Sequence, residues 1–161
     1  MNQIIKIGMA DYNTGKKDDI LTSLGLGSCV GITLYDPVTK VAGLVHIMLP
    51  YSKAIRNNSN HAKFADTGIE LLLRETVKIG ANKSRLVSKI AGGAQMFSFD
   101  SKNDIMKIGE RNSIAVKEKL KELKIPLVSE DTGGNFGRTI ELYCETGKLM
   151  IKTIGHGIKK I

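Results

Sequence analysis

The chain reads as a mixed α/β domain of the α+β kind, with antiparallel hairpins outnumbering crossovers and about two substantial helices. Three observations carry that reading. Several β-like runs stop at proline or glycine turns, and two other stretches space their apolar residues as a helix does. No internal repeat, low-complexity tract or long linker separates them. At 161 residues, a single domain spanning 1–161 can bury roughly two-thirds of its unfolded surface.

The elements follow in order. Met1 to Gly8 lacks the long apolar core of a secretion signal and reads as an opening strand. Residues 28–36 alternate in character and predict a strand stopped by Asp36-Pro37; Lys40 to Leu49 is a second run, ended by Pro50. Together 29–49 predicts a hairpin around the turn 36–39. The polar, aperiodic residues 51–62 predict a mobile loop. A helix follows over 63–79, burying Phe64, Ala65, Ile69, Leu72, Leu73, Thr76 and Val77 and stopping at Gly80. Arg85 to Gly92 predicts a buried strand entering a Gly92-Gly93 turn. A second helix over 109–123 shows Val116, Leu120 and Leu123 on one face before Pro126. Residues 127–130 predict a strand, 132–137 a turn, and 138–154 a hairpin turning at 145–148. The tail 155–161 is weakly specified.

Composition excludes several classes. Apolar residues at 42% and charged residues at 25% are ordinary for a globular protein, and no apolar run reaches the ~18–20 residues of a membrane span. With no export signal, Cys29 and Cys144 are expected as reduced thiols in the cytoplasm. A net charge of +8 favours an acidic partner without choosing one. Lys117, Lys121 and Lys124 share a helical face, and Lys152, Lys159 and Lys160 crowd the C-terminus. Aromatic residues make up only 5%, with no Trp, and none alternates with these lysines as a nucleic-acid stacking platform requires. The expectation is a solvated lysine face, no nucleic-acid partner and no membrane insertion.

Two side chains look built for chemistry. Cys29 follows Leu24-Gly25-Leu26-Gly27-Ser28, where glycines let the backbone turn sharply and present N–H groups to a developing oxyanion. Gly27 and Ser28 are the candidates for that backbone support. His46, in Gly43-Leu44-Val45-His46-Ile47-Met48, is the imidazole that can take the thiol proton. An isolated cysteine or histidine in such apolar surroundings is usually core; the predicted hairpin, which sets the two on neighbouring strands, argues otherwise. Thr22 and Ser23 are of types most often found in turns or caps, yet either could hold the ring in one tautomer. Cys144 reads as structural, and His61 and His156 as solvent-exposed. No metal-ligand spacing occurs, and neither glycine pair matches a phosphate-binding loop, so no metal or cofactor is expected.

Six blocks extend the pattern: residues 22–31 (Thr-Ser-Leu-Gly-Leu-Gly-Ser-Cys-Val-Gly), 42–50 (Ala-Gly-Leu-Val-His-Ile-Met-Leu-Pro), 63–67 (Lys-Phe-Ala-Asp-Thr), 89–97 (Lys-Ile-Ala-Gly-Gly-Ala-Gln-Met-Phe), 108–112 (Ile-Gly-Glu-Arg-Asn) and 130–138 (Glu-Asp-Thr-Gly-Gly-Asn-Phe-Gly-Arg). In this order and spacing the chain resembles the chemoreceptor glutamine deamidases, the CheD family. The resemblance implies mainly antiparallel sheets packed as a sandwich, with about two to three helices outside, similar to the catalytic fold of the cytotoxic necrotizing factors. It implies a protein-glutamine glutaminase that converts glutamines of methyl-accepting chemotaxis receptors to glutamate. Cys29 falls on the family's nucleophile, His46 on its base and Ser23 on a third catalytic position that is usually threonine; Thr22 is the alternative orienting hydroxyl. Serine lacks the methyl that stiffens threonine. The resemblance also implies a CheC-type response-regulator phosphatase as partner. A non-catalytic regulator of such a phosphatase is the alternative reading.

Overall fold

A computed structural model of the chain describes residues 3–96 and 107–161. Met1 and Asn2 of the expected opening strand, and Phe97 of the fourth sequence block, lie outside them. The described chain forms strands β1 (Ile4–Lys6), β2 (Tyr12–Gly15), β3 (Ile20–Leu26), β4 (Val30–Tyr35) and β5 (Ala42–Ile47). Helix α1 (Ala65–Lys78), strand β6 (Val87–Gly92) and helix α2 (Ile108–Glu122) follow. Strands β7 (Leu127–Thr132), β8 (Arg138–Tyr143), β9 (Leu149–Thr153) and β10 (Gly157–Lys160) complete the order.

The strands make two five-stranded sheets, one ordered β1-β3-β8-β9-β10 and the other β2-β5-β4-β6-β7. Pairing is antiparallel except for β1 with β3 and β6 with β7. The sheets stack, and α1 and α2 cover the outer face of the second sheet. Strand periodicity divides the core between these layers. Val30, Ile32, Leu34, Val45 and Ile47 point toward the helices; Tyr35, Ala42 and Leu44 point toward the first sheet, meeting Leu21, Ile140 and Leu142. His46 follows Ala42 and Leu44 at two-residue steps and so faces the gap between the sheets.

Two glycines mark where the layers approach most closely. A Cβ at Gly31 would lie 2.6 Å from Cδ1 of Ile140, and one at Gly43 would lie 2.7 Å from Cδ1 of Leu72 in α1. The β4–β5 hairpin is closed by the fully buried carboxylate of Asp36, which accepts from the N–H groups of Val38 and Asn82 and pairs with Arg85 at 2.9 Å. Those donors hold the Asp36 carboxyl well below the usual carboxylate range, the Arg85 guanidinium contributing most.

Several expectations need correcting. Thr22 and Ser23 are strand residues, not turn or cap residues. Strand β3 escapes sequence patterning because Thr22, Ser23 and Gly25 interrupt its alternation, and its pairing with β8 shifts register between Ser23 and Leu26. Short, polar β2 carries little signal of its own and gains its place by pairing with β5. Val77 stays 39% exposed, because the buried stripe of α1 runs through Ala65, Ile69, Leu72 and Thr76. The tail folds as β10 against β9, its four residues exposed and held by backbone pairing, which leaves no hydrophobic signature. Within 51–62, Asp66 accepts from the N–H and hydroxyl of Ser52, and Asn58 donates to the Ser52 carbonyl.

Candidate functional site

Cys29 sits in the bend that leads from β3 into β4, after Gly25 has taken a φ of +71°. Its carbonyl accepts from the N–H of Gly93 at 2.8 Å, while the Gly27 carbonyl accepts from Ala94 at 2.9 Å. Those two bonds lock the bend onto the end of β6. Gly92, at φ +118°, must be glycine here, because a Cβ would overlap the carbonyl oxygen of Cys29. In the β4–β5 register Gly31 opposes His46, so Cys29, two residues earlier, is the diagonal neighbour of His46 on the face turned to the other sheet. Cys29 joins the apolar cluster between the sheets and keeps 8% exposure; His46 keeps 1%.

The first sheet supplies the group that orients the ring. Ser23 Oγ lies 2.8 Å from Nδ1 of His46 and donates to the Ile7 carbonyl at 2.7 Å. A hydroxyl has one proton. With that proton on the Ile7 carbonyl, Oγ must accept, so Nδ1 carries the ring hydrogen and Nε2 keeps its lone pair. Nε2 is buried with no hydrogen-bond partner among the described residues, so the Cys29 thiol is not bonded to it in this resting arrangement. Thr22 turns the other way, its hydroxyl donating to the Ile140 carbonyl at 2.9 Å. Of the two hydroxyls weighed from sequence, Ser23 meets the imidazole. Its lost methyl is offset by two hydrogen bonds that fix Oγ.

Burial sets the resting protonation. It pushes the Cys29 thiol up, partly countered by the residue's own backbone N–H. It pushes His46 down to about 4. Near neutrality both groups are therefore uncharged at rest, so the arrangement holds a neutral thiol beside a neutral imidazole and not a standing thiolate–imidazolium pair. Of the expected backbone support, the Gly27 N–H is committed to the Gly25 carbonyl at 3.1 Å, and the peptide unit that follows Ser28 is held through its carbonyl, which accepts from Asn112 at 2.9 Å.

Three contributing residues were not read from the sequence. Asn112 of α2, fully buried, donates to the carbonyls of Ser28 and Met48 at 2.9 Å each. Its signal was an amide four residues before Val116 on an otherwise apolar stripe. Arg138, 3% exposed, donates to Asp131 at 3.1 Å and to the Gly92 carbonyl at 3.3 Å while lying over Phe136. Met96 packs over Gly27, 3.1 Å from where a Cβ would stand. A cavity of about 410 Å³ lies beyond the Gly93 turn, lined by Gln95, Lys107, Ser113, Lys117 and Gly134; neither Cys29 nor His46 lines it.

Elsewhere, Cys144 is a free, buried thiol whose pKa burial raises to about 12. His61 and His156 are exposed, the latter stacked on Phe136 with ring centres 4.4 Å apart. Lys117, Lys152 and Lys159 pair with Glu130, Glu141 and Asp131 on the surface. No helix among the described residues is long and apolar enough to cross a membrane.

A two-sheet α+β domain that holds a cysteine and a histidine on one inner face, with a serine from the other sheet on the ring, has the constitution of a thiol-dependent acyl-transfer centre. Residues 48–153 match the family described as CheD chemotactic sensory transduction. Relatives extend the match across the site. The chain is 66% identical over 160 residues, 99% of each chain, to a protein of Caldanaerobacter subterraneus subsp. tengcongensis named probable chemoreceptor glutamine deamidase CheD. It is 58% identical over the full length of both chains to one of the same name in Lachnoclostridium phytofermentans. It is 53% identical, again over both full lengths, to the chemoreceptor glutamine deamidase CheD of Halalkalibacterium halodurans. The chain belongs to the CheD family.

Proposed function

We propose that this protein is a chemoreceptor glutamine deamidase, with Cys29 as nucleophile, His46 as general base and acid, and Ser23 as the group that fixes the ring. The observation that carries this reading is the Ser23–His46 hydrogen bond, which leaves the Nε2 lone pair unengaged on the face shared with Cys29. The names of the full-length relatives support the substrate class.

In this mechanism Nε2 takes the thiol proton as sulfur attacks Cδ of a receptor glutamine. The C=O electron pair moves to oxygen, and the resulting oxyanion is met by the Cys29 N–H. Each such donor contributes ~3 kcal/mol to transition-state stability. The imidazolium, its Nδ1–H held by Ser23, passes the Nε2 proton to the amide nitrogen and ammonia leaves. Water then gives a proton to Nε2 and its oxygen to the thioester carbon, releasing glutamate and restoring the thiol. Buried His46 resists becoming charged, so the imidazolium exists only while the tetrahedral oxyanion balances it. The protein acts in the cytoplasm at receptor arrays and binds a CheC-type phosphatase, as the family resemblance implies. Incubation with the cytoplasmic fragment of a receptor from the same organism tests the function. Each modified glutamine should gain ~1 Da with one ammonia released; a receptor fragment left unchanged would refute it.

A further inference from the structure

Asn112 occupies the buried stripe of α2 that Val116 and Leu120 continue at four-residue intervals. Packing alone favours a hydrocarbon there, because Oδ1 is buried without a hydrogen-bond partner among the described residues. The nitrogen end, however, is fully used. Both of its neighbours are carbonyl acceptors, so the NH₂ must face them, giving one proton to Ser28 and one to Met48. Ser28 immediately precedes Cys29, and Met48 lies two residues beyond His46 on the same strand course. One amide thus spans the two segments that carry the reacting groups.

We propose that Asn112 is a positioning residue that ties the Cys29 bend to the His46 strand and aims the Cys29 N–H at the reacting sulfur. In a trans peptide the C=O and N–H point in opposite directions. Holding the Ser28 carbonyl toward α2 therefore turns the N–H of the same peptide unit away from α2, to the side where Sγ lies. That N–H stabilises sulfur as it gains negative charge and stands beside an oxyanion formed on the attached carbon. The second bond, to Met48, sets how far the bend can move relative to β5. The proposal rests on the reading of Cys29 and His46 as the reacting pair.

Asn112→Leu removes both donors at similar volume, and Asn112→Ser keeps one short donor. Thermal melting identifies the folded variants. Two rates are then measured: receptor-fragment deamidation, and carbamidomethylation of Cys29 by iodoacetamide at pH 7.5, with Cys144 followed separately by peptide mass. In folded Asn112→Leu, kcat should fall about tenfold or more with KM little changed, and Cys29 alkylation should slow as well. Asn112→Ser should recover part of both. A folded leucine variant with either rate at the wild-type value, or with the loss confined to KM, overturns the proposal. If the leucine variant does not fold, a serine variant with wild-type rates overturns it equally. Alkylation needs no turnover, so it still decides the matter should the wild-type protein deamidate nothing.

Discussion

Replacing His46 by glutamine tests whether the imidazole is buried in its neutral form, because the consequence appears in stability. His46 titrates at about 4 in the folded protein against 6.5 for a solvated imidazole. Its folded pKa is depressed, so as pH falls below 6.5 the unfolded chain takes up a proton that the folded chain refuses. The stabilising contribution is thus complete above pH 6.5 and is lost progressively down to about pH 4. Between pH 7.5 and pH 5 the linkage amounts to about 2 kcal/mol. Glutamine is of similar size and carries no titrating group. Urea unfolding at both pH values should show the wild-type protein losing about 2 kcal/mol more than His46→Gln over that interval. His61 and His156 are common to both proteins and cancel. Parallel pH dependences would show that the imidazole is charged or solvated, and the resting arrangement described here would be wrong.

Three further outcomes follow from named contacts. Ser23→Ala leaves Nδ1–H and the Ile7 carbonyl buried without partners, so it should cost about 1–3 kcal/mol in denaturant unfolding and lower kcat more than it raises KM, whereas Ser23→Thr should retain both properties. Gly92→Ala places a methyl against the Cys29 carbonyl at a φ of +118°, so receptor deamidation should fall steeply even at temperatures where circular dichroism shows the variant folded. Asp36→Ala strips the acceptor from three backbone N–H groups and Arg85, with an expected loss of about 3 kcal/mol in urea unfolding. Since the folded Asp36 pKa lies below its ordinary value, this contribution is present above about pH 4 and disappears as pH falls further, so wild type and variant should converge in acid.

Much of the fold was legible because burial on one face writes itself into spacing. The β4–β5 hairpin was bounded by Asp36-Pro37 and Pro50, and α1 by its apolar stripe and Gly80. That hairpin also carried the Cys29–His46 relation, since its register alone makes them neighbours. Strand β3 was not legible. Ser23 must face inward to meet His46 and the sheet must shift register beside it, and both demands break the alternation that signals a strand. The partner of Ser23, the Ile7 carbonyl, is a backbone group, invisible to any residue pattern. Asn112 was legible only as an amide in an apolar stripe; what it grips are again two backbone carbonyls. Residue types announced Cys29 and His46, while the acceptors that hold Ser23 and Asn112 in place are main-chain carbonyls.

The central claim is that Cys29 attacks the glutamine side chain and carries the acyl group through turnover. Acid-quenching a reaction of enzyme with receptor fragment, then mapping the digest by mass spectrometry, tests it directly. The account predicts a glutamyl thioester to the receptor peptide on Cys29, cleaved by hydroxylamine and absent from Cys144. Undiminished ammonia release by Cys29→Ala would contradict it.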